Sequence, residues 1–337
     1  MTYSDDEYEC VPNKNNWMWI PVVILQFLIV AAGLYSHFVF IKLVVLPQKF
    51  GSYVRYSFGL ISTMMINMLL TSAGAFLIAL AHGKLIEDCE ISAIGFRKLL
   101  LYVHSFGEYF FVICELLGTI ERVTTVFLPR FRSTKHFSSC YVFGCCAGVV
   151  LSFLYIYMVR ISYISVYFAI GFGSITAMEI INGIAVFALW YAAKRKYKSE
   201  KTASLADRFE LSQSYDYCRC AAASVTARVL IITYVYLKLA GFFEGDLDSG
   251  FFYIMNLWIN LYCLVYPGII MMSHRKIKSQ LGSMIGEMIL FRRPRVKQDG
   301  PRKLFTIDGR QMNQMSGDDH FNQLTAFWNS SSHPSTR

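Results

Sequence analysis

The sequence predicts an all-α membrane protein, a seven-transmembrane helix bundle, and three observations lead to this fold class. The 337 residues are 55% hydrophobic and only 16% charged, with a mean hydropathy of +0.40, which is too apolar for an ordinary soluble protein. Seven apolar segments are long enough, at ~1.5 Å per residue, to cross a hydrocarbon core of ~30 Å. Lys and Arg residues concentrate in alternate connections between these segments, as in membrane proteins generally.

The first four predicted spans are residues 17–46, 58–81, 99–127 and 140–159. Trp17 and Trp19 begin the first span as an aromatic belt at the membrane interface. The second span carries Asn67 and Thr71 on one face, which is therefore expected to pack inward. Pro129 ends the third span, and the fourth is rich in Gly, Cys and Ser, as closely packed membrane helices often are.

The third span contains five ionisable residues: His104, Glu108, Glu115, Glu121 and Arg122. An ionisable group at bilayer depth costs at least ~2.5 kcal/mol unless it faces protein or water, so these side chains should point inward. Helical spacing puts four of them on one narrow face, with Glu121 on nearly the opposite side. Such a stripe indicates a functional site; the alternative is that these groups only hold neighbouring helices together.

The last three predicted spans are residues 163–193, 221–240 and 251–272. Glu179 and Asn182 lie three residues apart near the centre of the fifth span, so they share a face that should point inward. The sixth span is an apolar run between a basic connection and an acidic one. In the seventh, Tyr253, Asn256 and Asn260 recur at helical spacing.

The charges of the connections predict the orientation. Connections on one side carry two, three, seven and seven Lys or Arg residues, the last group counted from residue 275 to 297. The positive-inside rule makes this side cytoplasmic and puts the amino terminus outside. The largest inner connection is predicted at 194–219, with seven Lys or Arg against four acidic residues. This distribution explains the net charge of +9, so nucleic acid is not an expected partner.

This topology divides the chain into four parts: an extracellular segment, 1–16; the bundle, 17–272; an amphipathic helix on the inner membrane surface, 273–291; and a disordered cytoplasmic tail, 292–337. The surface helix is predicted because Ile277, Leu281 and Ile285 recur at helical spacing among basic residues. The first sixteen residues lack a basic start and a small-residue cleavage site, so the first apolar segment is expected to be a retained anchor.

Nine cysteines show no C-x-x-C pair that would indicate a metal site, and neither a metal nor a cofactor is expected. Cys10 and Cys89 lie in polar segments on the predicted outer side, where disulfides form. The sequence leaves open whether these two residues are bridged or are free thiols.

Two short motifs resemble those of G-protein-coupled receptors. Glu121-Arg122-Val123, at the inner end of the third span, resembles the acidic-Arg-aromatic motif whose Arg reaches the G protein in active receptors. Tyr266-Pro267, late in the seventh span, occupies the place of the Asn-Pro-x-x-Tyr motif. Val123 is not aromatic and the sixth span has no proline, which indicates a divergent group.

Residues 205–215, LADRFELSQSY, are similar to the L-x-x-R-[FY]-x-L-x-x-N segment of the nematode serpentine chemoreceptors of the Sra superfamily, with the Sre branch closest. Gln213-Ser214 replaces the usual Glu-Asn. The resemblance implies a chemosensory receptor in the plasma membrane or cilium of a sensory neuron. Its partners would be a small-molecule ligand, a heterotrimeric G protein and membrane lipid, and homo- or heterodimerisation stays open.

The predicted ligand-binding residues are polar groups inside the bundle and the apolar walls beside them: His104, Glu108, Phe111, Glu115, Glu179, Asn182, Tyr253, Asn256 and Asn260. The residues predicted to couple to the G protein are Glu121, Arg122, Arg208, Tyr266 and Pro267. A membrane transporter or proton or ion pathway is the alternative function, although no internal repeat is visible. An enzyme is not expected, because no H-E-x-x-H or G-x-S-x-G motif occurs.

Overall fold

The computed structural model describes residues 19–47, 52–85, 94–132, 134–161, 165–199, 205–239 and 249–289. Within these residues the chain is almost entirely helical and contains no β-strand. Seven long helices are described there: α1 (Ile20–Phe40), α2 (Ser52–Ala81), α3 (Gly95–Phe127), α4 (Lys135–Ile156), α5 (Ser165–Ser199), α6 (Leu205–Leu239) and α7 (Ser249–Ser273). A further helix, α8 (Arg275–Ile289), follows α7. The predicted all-α fold is confirmed.

The helices have the length and composition of a membrane bundle. Five stretches among the described residues could cross a membrane: Ile20–Val45, Ser52–Ala81, Lys135–Val159, Ile170–Tyr197 and Asn256–Ser273. This agrees with the predicted helical membrane protein, while the count of seven spans and their orientation stay predictions. By its internal contacts the chain divides into a unit of residues 1–283, which holds α1 to α7, and a unit of residues 284–337.

Local sequence signals mark the helix ends. Pro21 lies in the first turn of α1, where its missing N–H removes no helical hydrogen bond. The Thr134 hydroxyl caps α4 by accepting from the Phe137 amide at 3.3 Å. Gly83, with φ +70°, follows α2 in the left-handed region that glycine adopts without steric cost. Pro129 follows the end of α3 and begins the short helical turn that connects it to α4.

α3 is the central helix of the bundle. It packs against α2, α4, α5 and α6, whereas α7 packs against α1, α2 and α6 and so closes the bundle. Because α3 has neighbours on several sides, adjacent residues on different faces are both buried. Glu121 is as deeply buried as Arg122, although helical spacing puts it away from the stripe formed by the other ionisable residues.

Gly118 and Gly148 are two of the glycines that allow close contacts between helices. A Cβ added at Gly118 of α3 would lie 3.0 Å from the Tyr217 hydroxyl oxygen on α6 and 3.3 Å from Ser57 Oγ on α2. A Cβ added at Gly148 of α4 would lie 2.8 Å from a methyl carbon of Ile113 on α3. The small residues of the fourth span therefore allow the close packing that its composition predicts.

The loop predicted at 194–219 is wrong, while the position of these residues on the inner side stays a prediction. α5 continues to Ser199 and α6 already begins at Leu205. Leu211, Ser214 and Cys218 are buried at helical spacing in this polar part of α6. Hydropathy detects only the apolar part of a helix, and charged residues can continue the same helix once it has left the membrane.

Candidate functional site

Three ionisable side chains from three helices meet inside the bundle. Arg228 on α6 donates hydrogen bonds to a carboxylate oxygen of Glu115 on α3 and to one of Glu179 on α5. All three residues are buried, and Glu179 is only 1% exposed. Burying a charge is costly, and a close opposite charge offsets that cost. This group of three residues, the central cluster, therefore ties α3, α5 and α6 together.

Aromatic rings complete the surroundings of Arg228. Its Cζ lies 4.5 Å from the ring centroid of Phe111 and 5.9 Å from that of Tyr262. Both distances are within the range of cation–π attraction. The hydroxyl oxygens of Ser224 and Tyr262 are 2.8 Å apart. Phe111, predicted as an apolar wall of the ligand site, thus packs directly against the central cluster.

Arg228 is the residue of the central cluster that sequence reasoning missed. The signal was present, because Arg228 interrupts the apolar run of the predicted sixth span. An arginine at that depth must find a partner inside the protein. Glu115 and Glu179 are both predicted to point inward, so they are candidate partners for an arginine at this depth.

Asn182 takes part in a second polar contact between α3 and α5. The Thr119 hydroxyl donates to Oδ1 of Asn182 at 2.7 Å and lies 3.3 Å from the hydroxyl oxygen of Tyr217 on α6. Asn182 and Glu179 are both 1% exposed, so the two share an inward face as the spacing predicts. Their contacts in this structure are with other side chains of the bundle.

Asn260 belongs to a polar network between α1, α2 and α7. Nδ2 of Asn260 donates to Ser72 Oγ at 2.7 Å, and Nε2 of Gln26 donates to the same oxygen at 3.0 Å. All three side chains are buried. Ser72 therefore joins the three helices, and Asn260 donates to this network between α1, α2 and α7.

His104 and Asn256 line a small cavity with Ser72 and Arg97. Its volume is about 20 Å³, enough for roughly one water molecule. Nδ1 of His104 also lies 3.2 Å from the carbonyl oxygen of Met68 on α2. The structure thus brings two predicted ligand-binding residues to one polar cavity, which in this form is too small for an organic ligand.

Two further predicted ligand-binding residues are Glu108 and Tyr253. Glu108 is half-buried on α3, one helical turn from His104. Tyr253 lies in α7, but its side chain is outside the described part of the structure. The contribution of both residues to ligand binding stays a prediction.

A second group of charges lies near the carboxyl end of α3. Nη2 of Arg122 donates to Oε1 of Glu121 at 2.6 Å, and Nε of Arg122 donates to the other carboxylate oxygen. Arg132, in the turn after α3, donates to Oε1 of Glu121 at 3.0 Å and to Oε1 of Glu210 on α6 at 2.9 Å. These four residues form the terminal cluster, which joins α3, the turn and α6.

Water reaches only part of the terminal cluster. Arg122 is 1% exposed and Glu121 is fully buried, whereas the side chains of Arg132 and Glu210 are 20% and 36% exposed. Burial alone would lower the pKa of the Arg132 guanidinium, but the charges of Glu121 and Glu210 raise that pKa above its ordinary value. Arg132 therefore stays charged at physiological pH and gives Glu121 a second cationic partner.

The Tyr266-Pro267 motif of α7 lies in the interior of the bundle. Tyr266 is 1% exposed, and its ring centroid lies 5.9 Å from that of Tyr262, which faces Arg228. Pro267 is within α7. Arg208 lies on α6, but its side chain is outside the described part of the structure.

The predicted cysteine pair cannot be placed. Cys10 and Cys89 both lie outside the described residues. The cysteines that the structure does describe form no disulfide: Cys114, Cys140, Cys145, Cys146, Cys218, Cys220 and Cys263. Cys218, Cys220 and Cys263 are fully buried, as small core residues.

Comparison with known proteins supplies the family. The sequence pattern of the Sre G protein-coupled chemoreceptor family matches residues 150–329, which is more than half of the chain. The match includes α5 to α8, and therefore Glu179 and Arg228 of the central cluster, while α3 lies outside it. No curated protein matches this sequence. The chain belongs to the Sre family of G protein-coupled chemoreceptors.

Proposed function

We propose that this receptor binds a small extracellular ligand within its helix bundle and activates a heterotrimeric G protein at the opposite end of that bundle. One observation carries the proposal. The same helix, α3, contributes Glu115 to the central cluster and Glu121 and Arg122 to the terminal cluster. The two clusters are about 10 Å apart along α3, from its rise of ~1.5 Å per residue. A movement of α3 relative to α5 and α6 would alter the contacts of both.

The proposed topology has seven spans with the amino terminus outside. Residues 1–16 are extracellular, residues 17–272 form the bundle, residues 273–291 lie on the inner membrane surface, and residues 292–337 are a cytoplasmic tail. The uneven distribution of Lys and Arg supports this orientation. The receptor would lie in the plasma membrane or in the membrane of a sensory cilium. In this orientation Arg122 lies at the cytoplasmic end of α3.

The proposed ligand site extends from the small cavity beside His104 and Asn256 towards the central cluster. Glu108 lies on α3 between these two regions and offers a carboxylate to a polar or cationic ligand. Because the cavity has a volume of only about 20 Å³, ligand binding must displace side chains or water. A ligand that favours the widened form would shift the receptor towards it.

The proposed coupling step concerns the partners of Arg122. Its guanidinium is paired with Glu121 and buried, so it is not available to a G protein in this form. Arg132 also contacts Glu121 and can keep that carboxylate paired when Arg122 leaves. Release of Arg122, with rearrangement around Arg208, Tyr266 and Pro267, would therefore create the surface that activates the G protein.

A ligand screen in cells tests this function. Cells expressing the receptor would be exposed to odorant and peptide libraries, with calcium and cAMP readouts and with uptake of each active compound measured in parallel. We expect a signal that requires a G protein and is not accompanied by transport. Accumulation of the compound without G protein signalling would contradict the proposal and favour a transporter.

Epitope tags at the two termini test the topology. In unpermeabilised cells, an amino-terminal tag should be stained and a carboxy-terminal tag should not. Staining of the carboxy-terminal tag without detergent would contradict the proposed orientation.

A further inference from the structure

An apolar groove lies on the surface of the bundle, between α5 and α6. It has a volume of about 600 Å³, within the ~300–1,000 Å³ typical of small-molecule pockets. Ile184 and Leu230 line it and are 66% and 68% exposed. The stretch Ile170–Tyr197 of α5 is apolar and long enough to cross a membrane, so this groove is open to the lipid.

One charged residue, Glu179, lines this apolar groove. Arg228 binds one of its carboxylate oxygens, while Oε1 has no hydrogen-bond partner in the part of the chain that the structure describes. Arg228 itself does not line the groove. Glu179 is 1% exposed, so an unsatisfied oxygen there carries the full cost of lost hydration.

The charges of the central cluster favour a cationic group at this position. Arg228 is shared by two carboxylates, those of Glu115 and Glu179, so the three residues have an excess of negative charge when both are ionised. Electrostatic attraction is strong where water is absent. An ammonium group can both neutralise the excess charge and donate a hydrogen bond to the free oxygen.

We propose that this groove binds a lipophilic amine that enters from the membrane. Its ammonium group donates to Glu179, and its hydrocarbon chain lies along α5 as far as Ala188. That distance is about 13 Å at the helical rise of ~1.5 Å per residue. The amine enters from the lipid, whereas the proposed extracellular ligand enters through the cavity beside His104 and Asn256. Occupancy beside Glu179 would bias the central cluster that joins α3, α5 and α6.

The test uses the full-length receptor in lipid nanodiscs. Binding of radiolabelled dodecylamine is measured, with unlabelled dodecylamine defining the saturable part and dodecanol as the uncharged competitor of equal chain length. We expect saturable binding, with dodecanol competing at least about tenfold more weakly, because it cannot supply the charge. Glu179→Gln should weaken amine binding by about tenfold or more.

A matched pair of variants locates the site. Ala188→Trp should fill the groove and weaken binding by about tenfold or more, while leaving Glu179 and Arg228 in place. Ile181→Trp, at a 58% exposed position of the same helix that does not line the groove, should bind like wild type.

The results distinguish the proposal from its alternatives. Equal competition by dodecanol would show that the groove holds hydrocarbon chains without recognising an amine, and absence of saturable binding would show that no such site exists. Either result contradicts the proposal. If Glu179→Gln does not fold, the comparison of Ala188→Trp with Ile181→Trp still tests whether the amine binds in the groove. Equal amine binding by these two variants would contradict the proposal. Since the readout is binding alone, failure here says nothing against G protein activation.

Discussion

The two ion clusters of α3 differ in how far water can reach them. In the central cluster, all three side chains are less than a tenth exposed. In the terminal cluster, Glu121 and Arg122 are buried, but Arg132 and Glu210 reach solvent. The central contacts can change only if the helices move or a ligand intervenes. The terminal contacts can exchange when the exposed side chains move.

This difference also separates their contributions to stability. Removing one partner of a buried ion pair costs about 3–5 kcal/mol, because the other charge is left buried and unpaired. A partly exposed pair such as Arg132 and Glu210 contributes about 0–1 kcal/mol, since water replaces the lost partner. The comparison therefore predicts that variants of the central cluster affect folding and that variants at the exposed part of the terminal cluster do not.

The largest effect is expected from Arg228→Leu. This change leaves Glu115 and Glu179 buried without their common partner and should lower the free energy of unfolding by about 3–5 kcal/mol. Thermal denaturation of the purified receptor in detergent, followed by intrinsic tryptophan fluorescence, measures the loss.

A triple variant controls for the loss of side-chain packing. Arg228→Leu combined with Glu115→Gln and Glu179→Gln removes all three charges, so it should recover a large part of the lost stability. If the triple variant is less stable than Arg228→Leu alone, the destabilisation comes from packing and not from unpaired charge.

A smaller effect, on agonist potency and not on folding, is expected from Glu108→Gln. Glu108 lies outside both clusters. The change keeps the shape of the side chain but removes its charge, so surface expression should stay close to that of wild type. For a cationic agonist, potency should fall by about tenfold or more, since a charged hydrogen bond of at least ~1.4 kcal/mol is lost. Dose–response curves at matched expression measure this; an unchanged curve would leave Glu108 with a structural role only.

The smallest effect is expected from Arg132→Gln. Its contacts with Glu121 and Glu210 are partly exposed, and Arg122 stays paired with Glu121, so the free energy of unfolding should change by less than ~1 kcal/mol. The same denaturation experiment measures it. A loss as large as that of Arg228→Leu would remove the distinction between the two clusters.

The sequence predicts the helices better than it predicts their partners. Apolar length predicts seven segments that overlap α1 to α7, and five of these helices contain a described stretch long and apolar enough to cross a membrane. It also indicates the inward faces of Glu179 and Asn182, since exposing them to lipid is costly. The sequence predicts a loop at the polar start of α6, because a polar stretch of helix gives no hydropathy signal, although Leu211 and Cys218 are buried at helical spacing.

Pairing between helices depends on their rotation and depth, which no local pattern specifies. Glu115, Glu179 and Asn182 were predicted to form a ligand site, but in this structure they contact Arg228 and Thr119. Helical spacing puts Glu121 away from the polar stripe, and it is buried there because α3 has neighbours on several sides, which spacing alone does not show. The Glu121–Arg122 contact joins adjacent residues, whose side chains point in different directions on a helix, so helical spacing does not predict it either.

The most direct test of the account is the basal, ligand-free rate of nucleotide exchange on a panel of purified heterotrimeric G proteins, with each receptor variant at equal density in nanodiscs. Glu121→Gln should release Arg122 and raise the rate several-fold, whereas Arg132→Gln should not. The double variant Glu121→Gln/Arg122→Ala should return the rate to the receptor-free background, and Arg122→Lys should activate less than wild type because an ammonium lacks the planar five-donor fork. If Glu121→Gln equals wild type and both Arg122→Ala and Arg122→Gln remain fully active, the terminal cluster does not control G protein activation.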